Sequence, residues 1–197
     1  MITVAVASGD PRREHETAIA LRDRLLKQAL GLSDPSSCVI RLPSGRPALD
    51  RPGYDLSVSH SAGRVAVGLL TPGAVSISAG SAVSALWTLE ETADAIGLDL
   101  ECVAGKTEER CRRIAGRFFS PVEQERIDRS DRPVETFLTL WTQKESAVKA
   151  TGEGLRALRS VDLLALCPDR RFFTRTVSLQ GEAFVMSVCL LKNAGVK

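Results

Sequence analysis

Apolar positions along the chain follow two different periods, and the places where the period changes mark the elements. Residues 2–7 form a short apolar run of strand character, and across 12–32 Leu21, Leu25, Ala29 and Leu32 recur at helical spacing with charges opposite. A strand followed by a helix opens the fold. Short β-type runs come next at 38–42, 55–59 and 64–70, divided by Pro43-Ser44-Gly45 and Ser61-Ala62-Gly63. Over 71–95 the pattern weakens into Pro, Gly, Ser, Ala and Thr around Trp87, Glu90, Glu91 and Asp94, which predicts a long connection or an inserted hairpin. Strand character resumes at 95–100, and 107–119 reads as a helix carrying Ile114, Phe118 and Phe119. Ser120-Pro121-Val122-Glu123 places a capping serine, a first-turn proline and a glutamate three residues after the cap, a capping box that starts another helix. A third helix is expected over about 134–151, stopped by Gly152 and Gly154, and the runs 161–166, 172–179 and 183–191 alternate like antiparallel strands. The pattern predicts an α+β chain in two halves, 1–94 and 95–197, each with helices packed on a small antiparallel sheet.

Composition narrows the function classes. With 197 residues, 44% apolar and 25% charged, the chain has material for a sizeable core and is not expected to be disordered. Its 26 basic and 24 acidic residues nearly cancel, so no overall field points to nucleic acid or an anionic membrane. Cys38, Cys102, Cys111, Cys167 and Cys189 are odd in number and contain no C-x-x-C pair, which argues for reduced thiols instead of a disulfide framework or a zinc site. No signal peptide or spanning segment is visible, and a cytoplasmic protein is expected.

Two constellations could carry chemistry. Asp99 and Glu101 flank Leu100 on a predicted strand, so both carboxylates project to one face. They are either a solvated strand face or a pair that needs a cation between them. On the third helix, Trp141, Glu145, Lys149 and Gly152 stack near one stripe, with Lys144 beside it. The plain alternative is an exposed Glu145–Lys149 pair worth only ~0.2–0.5 kcal/mol, with Trp141 in the core.

Taken together, Gly97-Leu98-Asp99-Leu100-Glu101 and Trp141 through Gly152 resemble the paired signature G-(I/V)-D-x-E and W-x-x-K-E-(A/S)-x-x-K-x-x-G of the 4′-phosphopantetheinyl transferases. Between them, Arg117-Phe118-Phe119-Ser120-Pro121-Val122-Glu123 resembles that family's R-F-F-S-x-x-E. Gly45-Arg46-Pro47 and Ser57-Val58-Ser59-His60-Ser61 resemble its G-(K/R)-P and N-x-S-H-S, with Ser57 in place of the usual asparagine. The latter two matches favour the larger, surfactin-type members.

The resemblance implies two similar halves related by a pseudo-twofold, with coenzyme A in the cleft between them and an insertion in 71–94. It implies transfer of the 4′-phosphopantetheine arm of coenzyme A to a serine of an apo carrier protein, releasing 3′,5′-ADP. Asp99, Glu101 and Glu145 would hold Mg2+, with Mn2+ as a substitute. Lys144 and Lys149 would meet the phosphates, Lys149 assisting departure of the leaving group. Arg46 and His60 would meet the 3′-phosphate, with Arg12, Arg13 and Arg22 as further candidates and His15 left as a solvated helix residue. Glu123 is the family-matched general base, directly or through a metal-bound water, although its capping box explains a glutamate equally well. The implied partners are coenzyme A and an acyl or peptidyl carrier protein, with no nucleic acid or membrane, and the chain would act as a monomer. The competing readings are a coenzyme A-binding or regulatory module that has lost transfer, and a magnesium-dependent phosphohydrolase.

Overall fold

The computed structural model describes residues 1–78, 83–163 and 167–192. Strand β1 (Ile2–Ser8) is buried along almost its whole length because its two faces meet different layers. Ala5 and Ala7 face helix α1 (Glu14–Leu30), packing with Leu21, Leu25 and Leu26, whereas Ile2, Val4 and Val6 face the opposite way. Gly31 ends α1 in the left-handed conformation, φ 65°, where a side chain would be strained. A short ribbon of β2 (Val39–Arg41) and β3 (Pro47–Leu49) leads into β4 (Asp55–Ser61) and β5 (Arg64–Leu70). A further strand, β6 (Ala85–Leu89), pairs with β1 and completes an antiparallel sheet in the order β4-β5-β1-β6. The expected connection over 71–95 therefore contains a sheet strand, while residues 79–82 lie outside the described ones. Trp87 and its neighbours in β6 are only partly buried, as suits an edge strand.

The second sheet opens with β7 (Ala95–Cys102), and the chain then runs through α2 (Glu108–Phe118), α3 (Pro121–Asp128) and α4 (Pro133–Thr151). Thr107 caps α2, the expected capping box of Ser120 and Glu123 starts α3, and Gly152 at φ 73° stops α4. Strands β8 (Arg170–Leu179) and β9 (Glu182–Leu191) form an antiparallel hairpin and complete the order β7-β9-β8. The strand expected at 161–166 is not formed at 161–163, where the backbone instead supplies partners to buried side chains described below; 164–166 lie outside the described residues. The α+β class with small antiparallel sheets is as expected.

The sheets stack face to face with helices outside. Ile2, Val4, Val6 and Leu70 of the first meet Ile96, Leu98, Leu100, Phe184 and Val188 of the second in one core. Period-two alternation supplies the rest: Val185, Cys189 and Leu191 of β9 turn to the other side, where α2 and α4 pack.

Strand β7 is an edge strand, and its outward amides are capped by side chains instead of another strand. The N–H groups of Ile96, Leu98, Leu100 and Cys102 are accepted in turn by Asp55 Oδ2 at 2.9 Å, Ser57 Oγ at 2.9 Å, Ser59 Oγ at 3.2 Å and Ser61 Oγ at 3.1 Å. Four alternate residues of β4 thus fasten the first sheet to the edge of the second. Among the described residues no helix is long and apolar enough to cross a membrane.

Candidate active site

Gly97 decides how close α4 comes to β7. A Cβ there would lie 1.8 Å from the carbonyl oxygen of Ser146 and 2.6 Å from the nitrogen of Ala150. Its absence lets the helix rest on the strand, and Asp99 and Glu101, two and four residues on, share that face. Asp99 is buried; its Oδ1 accepts from Ser59 Oγ at 2.8 Å and from Lys149 Nζ at 2.7 Å. Its Oδ2 is buried with no partner among the described residues. Glu101 Oε2 accepts from Lys106 Nζ at 2.8 Å.

Glu145 completes the group from α4. Burial pushes its carboxyl up to about 7, the negative charge of Asp99 adds to that, Lys149 opposes it, and Glu101 adds a smaller push. Among the described residues Lys149 ion-pairs directly with Asp99, at 2.7 Å, and not with Glu145. An orphaned carboxylate oxygen and a third carboxyl raised by burial and then by its acidic neighbours are what an oxygen-liganded divalent cation would relieve. Among the described residues no three His, Cys, Asp or Glu side chains are grouped closely enough to hold a metal ion by themselves. The donor set nonetheless suits Mg2+, which takes one or two carboxylates and completes its shell with water and phosphate.

Beside this group lies a cleft of about 240 Å³ lined by Ser44, Arg46, Pro47, Glu145, Lys149 and Gly152, among others. Arg46 donates to Asp55 and, at 3.0 Å, to the carbonyl of Ile96, while its Nε is buried without a partner among the described residues. A second cleft, about 210 Å³, shares Pro47 and Val58 with the first and is lined by His15, Arg22, Arg41 and His60. His60 Nδ1 lies 2.7 Å from Glu14 Oε2, and its side chain remains 56% exposed. Arg46 and His60 thus border neighbouring clefts, not one. Arg12 and Arg13 are exposed and line neither, while Arg22 bonds Asp23 and Ser36. A larger hollow of about 550 Å³ where α3 gives way to α4 holds none of the motif residues, so size does not mark the site.

Two of the expected site residues lie inside the protein and face each other. Glu123 and Lys144 are 0% and 1% exposed, Lys144 Nζ standing 3.0 Å from Glu123 Oε2. Glu123 also accepts from the amides of Ser120 at 2.8 Å and Leu163 at 3.2 Å, and Lys144 donates to the carbonyls of Leu158 and Val161. The pair joins α3, α4 and the segment after Leu158 inside the protein. A base for an incoming serine must be reachable, and a phosphate-binding ammonium must reach the cleft; neither condition holds for these two. Trp141 is partly buried and packs against the core, stacked on Phe137 at 5.9 Å between centroids and edge-on to Phe118 at 5.7 Å.

Sequence reasoning passed over Lys106, Arg41, the lining role of His15, and the hydroxyls of Ser59 and Ser61. The signal for the serines was present: Asp55, Ser57, Ser59 and Ser61 occupy every second position of a strand, and a polar face that is buried needs partners.

Comparison with known proteins bears on this geometry. Residues 95–190 match the family model of the 4′-phosphopantetheinyl transferase superfamily. The matched segment contains Asp99, Glu101, Glu123, Lys144, Glu145 and Lys149, whereas Arg46 and His60 fall outside it. A protein of Synechocystis sp. provisionally named a 4′-phosphopantetheinyl transferase is 29% identical over 118 residues, 57% of this chain and 39% of that protein. The crystal structure of Thermotoga maritima holo-[acyl-carrier-protein] synthase is similar at 18% identity and a TM-score of 0.40, over 50% of this chain and 62% of that one. The chain spans less than two thirds of either relative.

Proposed function

We propose that this chain transfers the 4′-phosphopantetheine arm of coenzyme A to a serine of an apo carrier protein. It acts as a cytoplasmic monomer of the surfactin type, its halves 1–94 and 95–197 flanking the coenzyme. One observation carries the reading: Asp99, Glu101, Glu145 and Lys149 gather across Gly97 beside a cleft that also holds Arg46.

The serine Oγ forms a bond to the phosphorus that bears pantetheine, the bond from that phosphorus to the bridging oxygen breaks, and 3′,5′-ADP leaves with the electron pair. Asp99, Glu101 and Glu145 are the residues that would hold Mg2+, or Mn2+ in its place, and such an ion supplies charge neutralisation along the pyrophosphate. Lys149, whose ammonium already sits 2.7 Å from Asp99, adds positive charge where the leaving phosphate departs. Arg46 binds the pyrophosphate side of the first cleft. Across Pro47 and Val58, His60 with Arg41 and His15 receives the 3′-phosphate, which places the coenzyme along both clefts. The sealed Glu123–Lys144 pair holds α3 against α4, and the serine proton goes to water in the cleft.

Incubating the chain with coenzyme A, Mg2+ and a panel of apo acyl and peptidyl carriers, then weighing each carrier, tests this reading. A carrier heavier by one phosphopantetheine, with 3′,5′-ADP released in equal amount, is expected. Coenzyme A binding with no carrier modified would instead fit a module that has lost transfer, and phosphate release without a carrier would fit a phosphohydrolase.

A further inference from the structure

The polar face of β4 caps the edge of β7, but two of its residues do more than accept an amide. Ser59 Oγ lies 3.2 Å from the nitrogen of Leu100, 3.1 Å from Lys149 Nζ and 2.8 Å from Asp99 Oδ1. An amide N–H and an ammonium can only donate, so both lone pairs of the hydroxyl are taken and its single hydrogen is left for Asp99. Ser61 repeats the arrangement, accepting from Cys102 at 3.1 Å and donating to Glu101 Oε2 at 3.3 Å.

The consequence falls on the carboxylates. Asp99 Oδ1 is gripped by Ser59 and Lys149, while its buried Oδ2 has no partner among the described residues. Glu101 Oε2 is likewise gripped by two donors, Ser61 and Lys106. Gripping one oxygen of a carboxylate by two donors fixes the rotation of the group and so the direction of the other oxygen. The strand that joins the two sheets therefore also aims the acids of the site.

We infer that Ser59 and Ser61 are positioning residues that orient Asp99 and Glu101 for a divalent cation, an inference that rests on the metal assignment proposed above. Ser57 is an internal control. It accepts the amide of Leu98 at 2.9 Å in the same ladder and borders the first cleft, yet bonds neither Asp99 nor Glu101. If the serines only fastened strands, Ser57→Ala, Ser59→Ala and Ser61→Ala would behave alike. Orientation of the acids distinguishes them.

The test is Mn2+ binding to the whole chain, followed by electron paramagnetic resonance with neither coenzyme A nor carrier, so that nothing is turned over and the place of Ser57 on the coenzyme cleft does not enter. Thermal unfolding runs alongside. All three variants lose some thermal stability, but only Ser59→Ala and Ser61→Ala weaken Mn2+ binding, by roughly 10- to 100-fold, the usual cost of removing a partner that orients a ligand. Should an alanine variant fail to fold, Ser59→Cys, which keeps the size and a weak donor, is expected to fold with an affinity below wild type. Wild-type affinity in Ser59→Ala and Ser61→Ala, or in Ser59→Cys where the alanine does not fold, overturns the inference and leaves the metal assignment standing. Equal losses in all three alanine variants do the same. A wild-type chain whose Mn2+ binding is unaffected by Asp99→Ala, or absent, overturns both.

Discussion

Charge at single residues separates the parts of this site that react from the parts that hold shape. Glu145 has its carboxyl raised from the ordinary 4.5 to about 7, so the folded chain binds that proton more tightly than the unfolded chain does. Its contribution to stability is full below about 4.5 and is lost as pH rises to about 7. Cation-free wild-type protein should melt at progressively lower temperature across that window, and Glu145→Gln should flatten the slope; equal slopes in both would remove Glu145 as the source. Glu123 and Lys144 behave differently because they are sealed and paired. Glu123→Ala leaves a buried ammonium uncompensated, at a cost of about 3–5 kcal/mol measurable by urea unfolding. Transfer per folded Glu123→Gln molecule should remain near wild type, and a rate loss of ~10²- to 10⁴-fold in an intact fold would restore the base role. On the proposed placement the two clefts would divide the coenzyme in the same way. His60→Ala and Arg41→Ala should raise KM for coenzyme A and leave 3′-dephospho-coenzyme A unaffected, whereas Arg46→Ala should raise both. A reversed pattern would exchange the clefts.

Among the elements, α4 on β7 makes the site, and the contact depends on one missing side chain. Gly97→Ala would drive a methyl group into the backbone of Ser146 and Ala150, so α4 must shift and carry Glu145 and Lys149 away from Asp99. Overpacking of this kind costs at least about 1–3 kcal/mol, and transfer should fall further than the loss of folded protein explains. A variant with normal melting and normal transfer would show that the close approach is dispensable. Much at this scale was legible in the sequence: the helix spacing of Leu21 and Leu25, the capping box at Ser120, and Gly152 after Thr151 all act locally, and local signals survive reading in one dimension. Strand β6 was not legible, because Ala85–Leu89 is a partly buried edge whose one strand neighbour among the described residues, β1, lies far away in sequence. The sealed pairing of Glu123 with Lys144 was equally hidden. A charged residue in a motif reads as accessible until the packing of Phe119, Leu158 and Val161 around it is seen.

The two larger sheets share one core and are joined along the β4–β7 seam, with Asp99 and Glu101 on one strand and their orienting hydroxyls on the other. That arrangement would give the first half a part in the proposed chemistry, whose three carboxylates all lie in the second. It also sets what the central claim must survive: Asp99, Glu101, Glu145 and Lys149 have to act together on coenzyme A, with a divalent cation, toward a carrier serine. The most direct measurement is the intact mass of an apo carrier after incubation with coenzyme A and either wild-type chain or Asp99→Ala, each with Mg2+ and with a chelator. The account predicts a carrier heavier by one phosphopantetheine for the wild type with Mg2+, and an unchanged carrier in the other three reactions although the variant remains folded. An Asp99→Ala chain that modifies the carrier as fast as wild type, or a wild type indifferent to the chelator, would contradict it.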